Sequence, residues 1–363
     1  MPYLCTKIQR YGFIYYYRAA VHHYTCDIPN IGIDTDRASL VFTLKVKGKQ
    51  IFKSTYYASN GKVTVRDILS IIEAYFIQQG YSYQTVNITA DDGDEPVTAT
   101  FHAVYCHFHC ISKPAEEFVE ENFFTTATSR VVSLNCPQPL AGYFSRGRHS
   151  VRVSAMYQLP DGTTKSTGYT ESINVPLVGM KTITVNPATI EEELSDALHM
   201  DVKLLQFSYE IESRRCHFFI QRTPSTRSFY FWNAFNCKEA VTFFSETVTE
   251  LETDFSEAVI EHQLAYYDVE HTHTYQTQTG DLLLMQARWL EQFFTSPKIQ
   301  LAQKINGTNP LVLIADYEHQ ITDAPGSNNQ VNFKWKFADK RLTLNDFSLD
   351  DGIFTEPYSE EYV

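Results

Sequence analysis

Ser150-Val151-Arg152-Val153-Ser154-Ala155-Met156 sets Val151, Val153 and Ala155 on one side of an extended chain and Arg152, Ser154 and Met156 on the other. That period of two is the pattern of a half-buried β-strand. Leu159-Pro160-Asp161-Gly162 comes next, and the chain is expected to reverse there, because proline fixes φ and glycine accepts a positive one. Residues 169–175 and 181–185 then read as return strands. The same grammar recurs on both sides of this stretch, so the chain reads as mainly β.

Toward the N-terminus, residues 11–22 are strongly β-prone, and 38–46 alternate Leu40, Phe42, Leu44 and Val46 against polar partners. Gly48 and the pair Asn60-Gly61 mark tight turns. Ile68, Ile71, Ile72, Tyr75 and Phe76 share one face of a helix, expected to be capped by Thr64 with Asp67 three residues on, and to stop at Gly80. Residues 81–89 read as a strand, 91–96 as a loop, 97–111 as a long strand and 114–122 as a short helix or a linker.

Toward the C-terminus, Asn186-Pro187 opens a helix to about residue 198. Strands are expected over 203–211, 216–220, 228–235 and 240–248. The β-like run 258–279 would reach ~70 Å if straight, so it must bend, form a hairpin or project. Its second half, 271–278, is polar on both faces. Asp281 is expected to cap a helix striped by Leu283, Ala287, Leu290 and Phe294 and ended by Ser296-Pro297. Strands 311–321 and 331–338 follow.

The expected fold class is mainly β (α+β): tandem β-sandwich-like modules with a few packed helices. The expected division is 1–125, a β-rich domain with one amphipathic helix; 126–186, a β module; 187–344, a sheet-and-helix module; and 345–363, an acidic arm.

Acidic residues outnumber basic ones by 43 to 30, which argues against a nucleic-acid groove and against docking on an anionic membrane. No apolar run approaches the ~20 residues of a membrane span. Residues 1–7 lack a basic region followed by an apolar one, so no export signal is expected. The 7 cysteines are an odd number without zinc or disulfide spacing, and reduced buried thiols are expected.

Catalytic motifs do not emerge. His102, Cys106, His107, His109 and Cys110 are crowded, but a strand would put His102, Cys106 and Cys110 on one face and His107 and His109 on the other, so it could not close a tetrahedral site. Asp91-Asp92-Gly93-Asp94-Glu95 lacks the spaced ligands of a calcium loop. No nucleophile elbow, phosphate loop or dinucleotide fingerprint is present, so no catalytic, cofactor or metal residue is assigned. The interaction candidates are Phe229, Tyr230 and Trp232, read as either a buried strand or a sugar-stacking platform, and the polar run with His271, His273 and Tyr275, which could complete a neighbour's sheet.

Two resemblances add to this reading. Residues 150–185 resemble the last strands of an immunoglobulin-like or fibronectin-type sandwich. Arg227-Ser228-Phe229-Tyr230-Phe231-Trp232-Asn233, then 288–297 around Trp289 and Phe293, Pro310-Leu311-Val312-Leu313-Ile314 and Phe333-Lys334-Trp335-Lys336-Phe337-Ala338 are similar to structural proteins of tailed phages and prophages of gut Bacteroidetes. That resemblance covers about residues 200–340 and implies a tail-tube-like or distal-tail-like module in a tail or baseplate. It implies a virion component assembled in the host cytoplasm as a homo-oligomer with other tail proteins, and it carries over no catalytic residue. Residues before 200 do not follow the tail-tube pattern and would be adaptor or decoration domains. The rival expectations are a module binding a cell-surface glycan through Tyr230 or Trp232, and a metal-dependent enzyme using 102–110.

Overall fold

A computed structural model describes residues 7–10, 13–16, 22–28, 30–94, 96–108, 113–223, 226–260, 263–305, 307–319, 321–323 and 329–339. The chain divides into two compact units, the first holding 1–130, 137–220 and 232–239 and the second 131–136, 221–231 and 240–363. The expected acidic arm 345–363 lies outside the described residues.

The elements up to residue 220 are β1 (Lys7–Arg10), β2 (Phe13–Tyr16), β3 (His22–Tyr24), β4 (Ile31–Asp34), β5 (Ser39–Val46), β6 (Lys49–Tyr57), β7 (Lys62–Val65), α1 (Ile68–Gln79), β8 (Tyr83–Asp91), β9 (Val97–Val104), α2 (Ala115–Glu121), β10 (Ser129–Val132), β11 (Gln138–Phe144), β12 (Gly147–Gln158), β13 (Thr164–Val175), β14 (Gly179–Val185), α3 (Pro187–Leu198), β15 (Lys203–Ile211) and β16 (Arg214–Ile220). After them come β17 (Arg227–Trp232), β18 (Lys238–Phe243), β19 (Thr247–Ile260), β20 (Gln263–Gln278), α4 (Leu284–Phe294), β21 (Ile299–Leu301), β22 (Leu311–His319) and β23 (Val331–Phe337). The described residues are thus mostly β, with several sheets.

The N-terminal sheet runs β3-β9-β8-β5-β6. Leu40, Phe42, Leu44 and Val46 of β5 are buried, as their alternation requires, and Ile68, Ile72 and Phe76 of α1 join the same core. Lys47 and Gly48 both take positive φ, 51° and 77°, which matches the right-handed twist of a two-residue hairpin. The cap of α1 differs from expectation. Thr64 is a strand residue paired with Gly32, and the helix starts after Asp67. Asp67 takes a left-handed backbone (φ 58°), which a short polar side chain tolerates, and its N–H donates to Asn30 Oδ1 at 3.3 Å. Gly80 ends the helix at φ 66°, with the Tyr81 N–H donating to Phe76 O. Strand β9 stops at Val104, short of the expected residue 111.

The second sheet runs β10-β16-β15-β12-β13. Pro160 to Gly162 close the β12–β13 hairpin, with Gly162 at φ 85° and Asp161 Oδ1 accepting from the Thr163 N–H. Asn186 caps α3 by accepting the Ala188 N–H, and Pro187 fills the first helical position. β15 hydrogen-bonds to β12 along Val151↔Ile211 to Gln158↔Lys203. A sheet therefore crosses the boundary expected at 186, because the inward faces of β12 and β15 share one set of buried apolar side chains, Val151, Val153, Phe207 and Ile211.

The third large sheet runs β18-β17-β21-β22-β23-β20-β19. Its core joins Phe229, Phe231 and Phe243 to Leu290, Phe293 and Phe294 of α4 and to Phe333 and Trp335 of β23. Gln286 Oε1 accepts the Leu283 N–H at the start of α4. Asp281, the expected cap, instead accepts from Gln330 Nε2 at 2.5 Å. The long run 258–279 resolves as a hairpin: Ile260 pairs with Gln263, and its return strand is the acidic run before it.

Candidate functional site

β19 pairs with β20 from Thr247↔Thr277 to Ile260↔Gln263. On its other side β20 meets β23 only over Tyr275↔Trp335 to Gln278↔Asn332. Among the described residues, β19 and residues 263–274 of β20 thus form a two-stranded ribbon that continues beyond the rest of its sheet. Ribbons of two strands are marginal in water on their own, and an unpaired margin offers N–H and C=O groups to another chain. Val248, Leu251, Phe255 and Val259 are all more than half exposed along β19. The ribbon 247–278 carries seven carboxylates and no Lys or Arg. Glu250 Oε2 pairs with Lys334 Nζ at 2.6 Å.

The polar run is divided. Among the described residues, 275–278 lie between two strands, whereas 271–274 pair only with β19, and β19 is the outermost strand. Thr274 and Thr277 are buried, and the Thr277 hydroxyl accepts from Trp335 Nε1 at 3.1 Å. Buried hydroxyls are tolerated when they find such partners. Tyr275 stacks on Trp335 with ring centroids 4.4 Å apart, and His273 is half-buried opposite Leu251. The side chain of His271 lies outside the described residues.

Of the two readings of the aromatic strand, Phe229 and Tyr230 take the buried one. Phe229 is fully buried against Phe293 and Trp335, and Tyr230 is buried beside Cys136 and Ala240, where burial pushes its phenol up to about 12. Neither ring can stack on a sugar. Trp232, at the end of β17, is half-buried. The reason is that both faces of this strand are covered: α4 packs on Phe229 and Phe231, and Cys136 and Ala240 pack on Tyr230.

The crowded segment 102–110 does not converge on a point. His102 stacks on Tyr83 and its Nδ1 bonds Thr85 Oγ1 at 3.1 Å, whereas Cys106 lies past the end of β9 with its N–H on Thr25 Oγ1. His109 and Cys110 lie outside the described residues. Among the described residues no group of three or more His, Cys, Asp or Glu is placed to hold a metal. His22 Nε2 bonds the Tyr83 hydroxyl at 2.9 Å. Burial, then the neighbouring His102 and His23, lower His22 to about 4, so this imidazole is neutral at pH 7. The Cys26 and Cys106 thiols share a hydrogen bond that lowers Cys26 and raises Cys106. Asp91 and Asp92 close a turn by accepting the Gly93 and Asp94 N–H groups.

One polar cluster escaped sequence reading. Arg130 and Glu239 form an ion pair with both side chains almost fully buried. Thr125 Oγ1 donates to Glu239 Oε1 at 2.5 Å, and Asn233 Nδ2 donates to Oε2 at 2.9 Å. Arg130 Nε donates to Ala127 O. Both carboxylate oxygens are engaged and the pair is sealed from water, so it fastens the fold and offers no reacting group. No local pattern signals it, because its members lie 109 residues apart.

The outer face of β16, β15, β12 and β13 holds an open hollow of about 230 Å³ lined by Ser154, Met156, Ser166, Gln206, His217 and Phe219. Phe219 is 45% exposed there. No helix among the described residues is long and apolar enough to cross a membrane. Neither a protein-family model nor a curated protein matches this sequence.

Proposed function

We propose that the chain is a non-enzymatic structural subunit of a bacteriophage tail or baseplate, a ring or adaptor component that assembles in the host cytoplasm through its sheet margins. The observation that carries this reading is the ribbon β19–β20, whose 14-residue strand β19 has no neighbour on its outer side among the described residues. A partner strand would supply the hydrogen bonds and cover Leu251, Phe255 and Val259. The resemblance of residues 200–340 to tail structural proteins supplies the setting, with residues before 200 as adaptor domains. Sedimentation velocity across a concentration series tests it. Discrete closed oligomers are expected, visible as rings by negative-stain microscopy. A concentration-independent monomer would refute it.

A second reading, a glycan-binding module, is favoured by the hollow beside Phe219, where an exposed ring is rimmed by amide, hydroxyl and imidazole groups. Binding on a glycan array that disappears in Phe219→Ala would support it.

A further inference from the structure

We infer that the strand seated on the β19 margin is β6 of a second copy of this chain, so that subunits join head to tail. This rests on the assembly reading above and names its contact. β6 is the outermost strand of its own sheet, β3-β9-β8-β5-β6, and β19 is the outermost strand of the sheet that ends in the ribbon. Their charges are opposite. β19 carries Glu250, Glu252, Asp254 and Glu257 and no cation. The β5–β6 hairpin carries Lys45, Lys47, Lys49 and Lys53 and no carboxylate. Among the described residues none of these lysines is in a salt bridge, and neither are Glu252, Asp254 and Glu257. Lys47 and Lys49 are held over the rings of Tyr81 and Tyr75 at 5.5 and 5.8 Å, which fixes part of the positive charge beside the margin.

Pairing of β19 with its own copy would set four carboxylates against four, and like charges across a strand pair are unfavourable. The other described margins are weaker matches: β13 and β18 each carry one Lys and one Glu, β7, β10 and β14 one cation each, β3 and β11 neither Lys nor Arg, and β1 has Lys7 and Arg10 on only four residues. The nine residues of β6 limit the shared ladder to roughly 30 Å. Because the two surfaces differ, each subunit keeps one free margin of each kind. The contact is therefore heterologous and closes into a ring or extends as a helix.

Sedimentation of two charge-reversed variants tests the pairing. One is Glu252→Lys with Asp254→Lys and Glu257→Lys; the other is Lys45→Glu with Lys49→Glu and Lys53→Glu. Each alone is expected to associate at least about tenfold more weakly than wild type. An equimolar mixture is expected to regain wild-type association, because every reversed strand then meets its complement. That rescue also shows that both variants are folded. Wild-type assembly with both variants unaffected, or weakened variants that the mixture does not rescue, would overturn this pairing and leave the assembly reading standing. A wild-type monomer at every concentration would overturn both.

Discussion

One strand, β20, belongs to two different environments. Over Tyr275–Gln278 it is hydrogen-bonded on both sides, Tyr275 stacks on Trp335, and the Thr277 hydroxyl closes on the indole. Over residues 263–274 it has one neighbour. In the packed core of the same sheet Phe229 touches Phe243, Phe293, Phe333 and Trp335. The contrast shows that belonging to a sheet does not make a strand stable; apolar cover does. The covered end holds the fold.

The contrast breaks if its two ends respond alike to substitution. Trp335→Ala should cost about 3–5 kcal/mol, read as a lower urea midpoint, since the cavity opens among packed rings. Glu239→Gln extends the contrast to polar packing: it leaves the Arg130 guanidinium buried without its counter-charge and should cost about 3–5 kcal/mol by the same measurement. Acid should act on packed regions through His22. Its folded pKa lies below the unfolded value, so unfolded chains bind its proton first, and stability falls as pH drops from 6.5 toward 4. The fall in melting temperature over that window should be smaller in His22→Gln. Replacing residues 254–270 by Asn-Gly should barely move the urea midpoint, by less than about 1 kcal/mol, yet abolish assembly. A large loss of monomer stability there would mean that the ribbon belongs to the core after all.

Much of the local structure was legible. Lys47-Gly48, Asn60-Gly61, Pro160 to Gly162 and Asn186-Pro187 each set a turn or a cap through their own backbone preferences, and all four are present. The β5 alternation named its buried residues. Failures came where a partner distant in sequence decides. Thr64 had the chemistry of a cap, but β4 claimed it for a sheet. Asp281 lost its cap role to Gln286 and bonds Gln330 instead. Phe229 and Tyr230 read equally as a buried strand or a surface platform until α4 covers the first and Cys136 and Ala240 cover the second. The polar run 271–278 drew attention to the right hairpin but not to its outermost strand β19, because which strand ends a sheet depends on sheet order. Arg130 and Glu239 are ordinary charges until the fold brings them together.

The carboxylates of β19 also bear on what happens to surplus chains. A long bare strand with Leu251, Phe255 and Val259 on it is the kind of segment that seeds cross-β fibres when identical copies stack in register. In such a stack every glutamate and aspartate would lie under its twin at about 4.8 Å, and the accumulated repulsion would stop growth. Under the proposed pairing the strand would accept a cationic rim while refusing its own image, and a cell overproducing the protein should keep it free of fibres until the pH falls far enough to neutralise those acids.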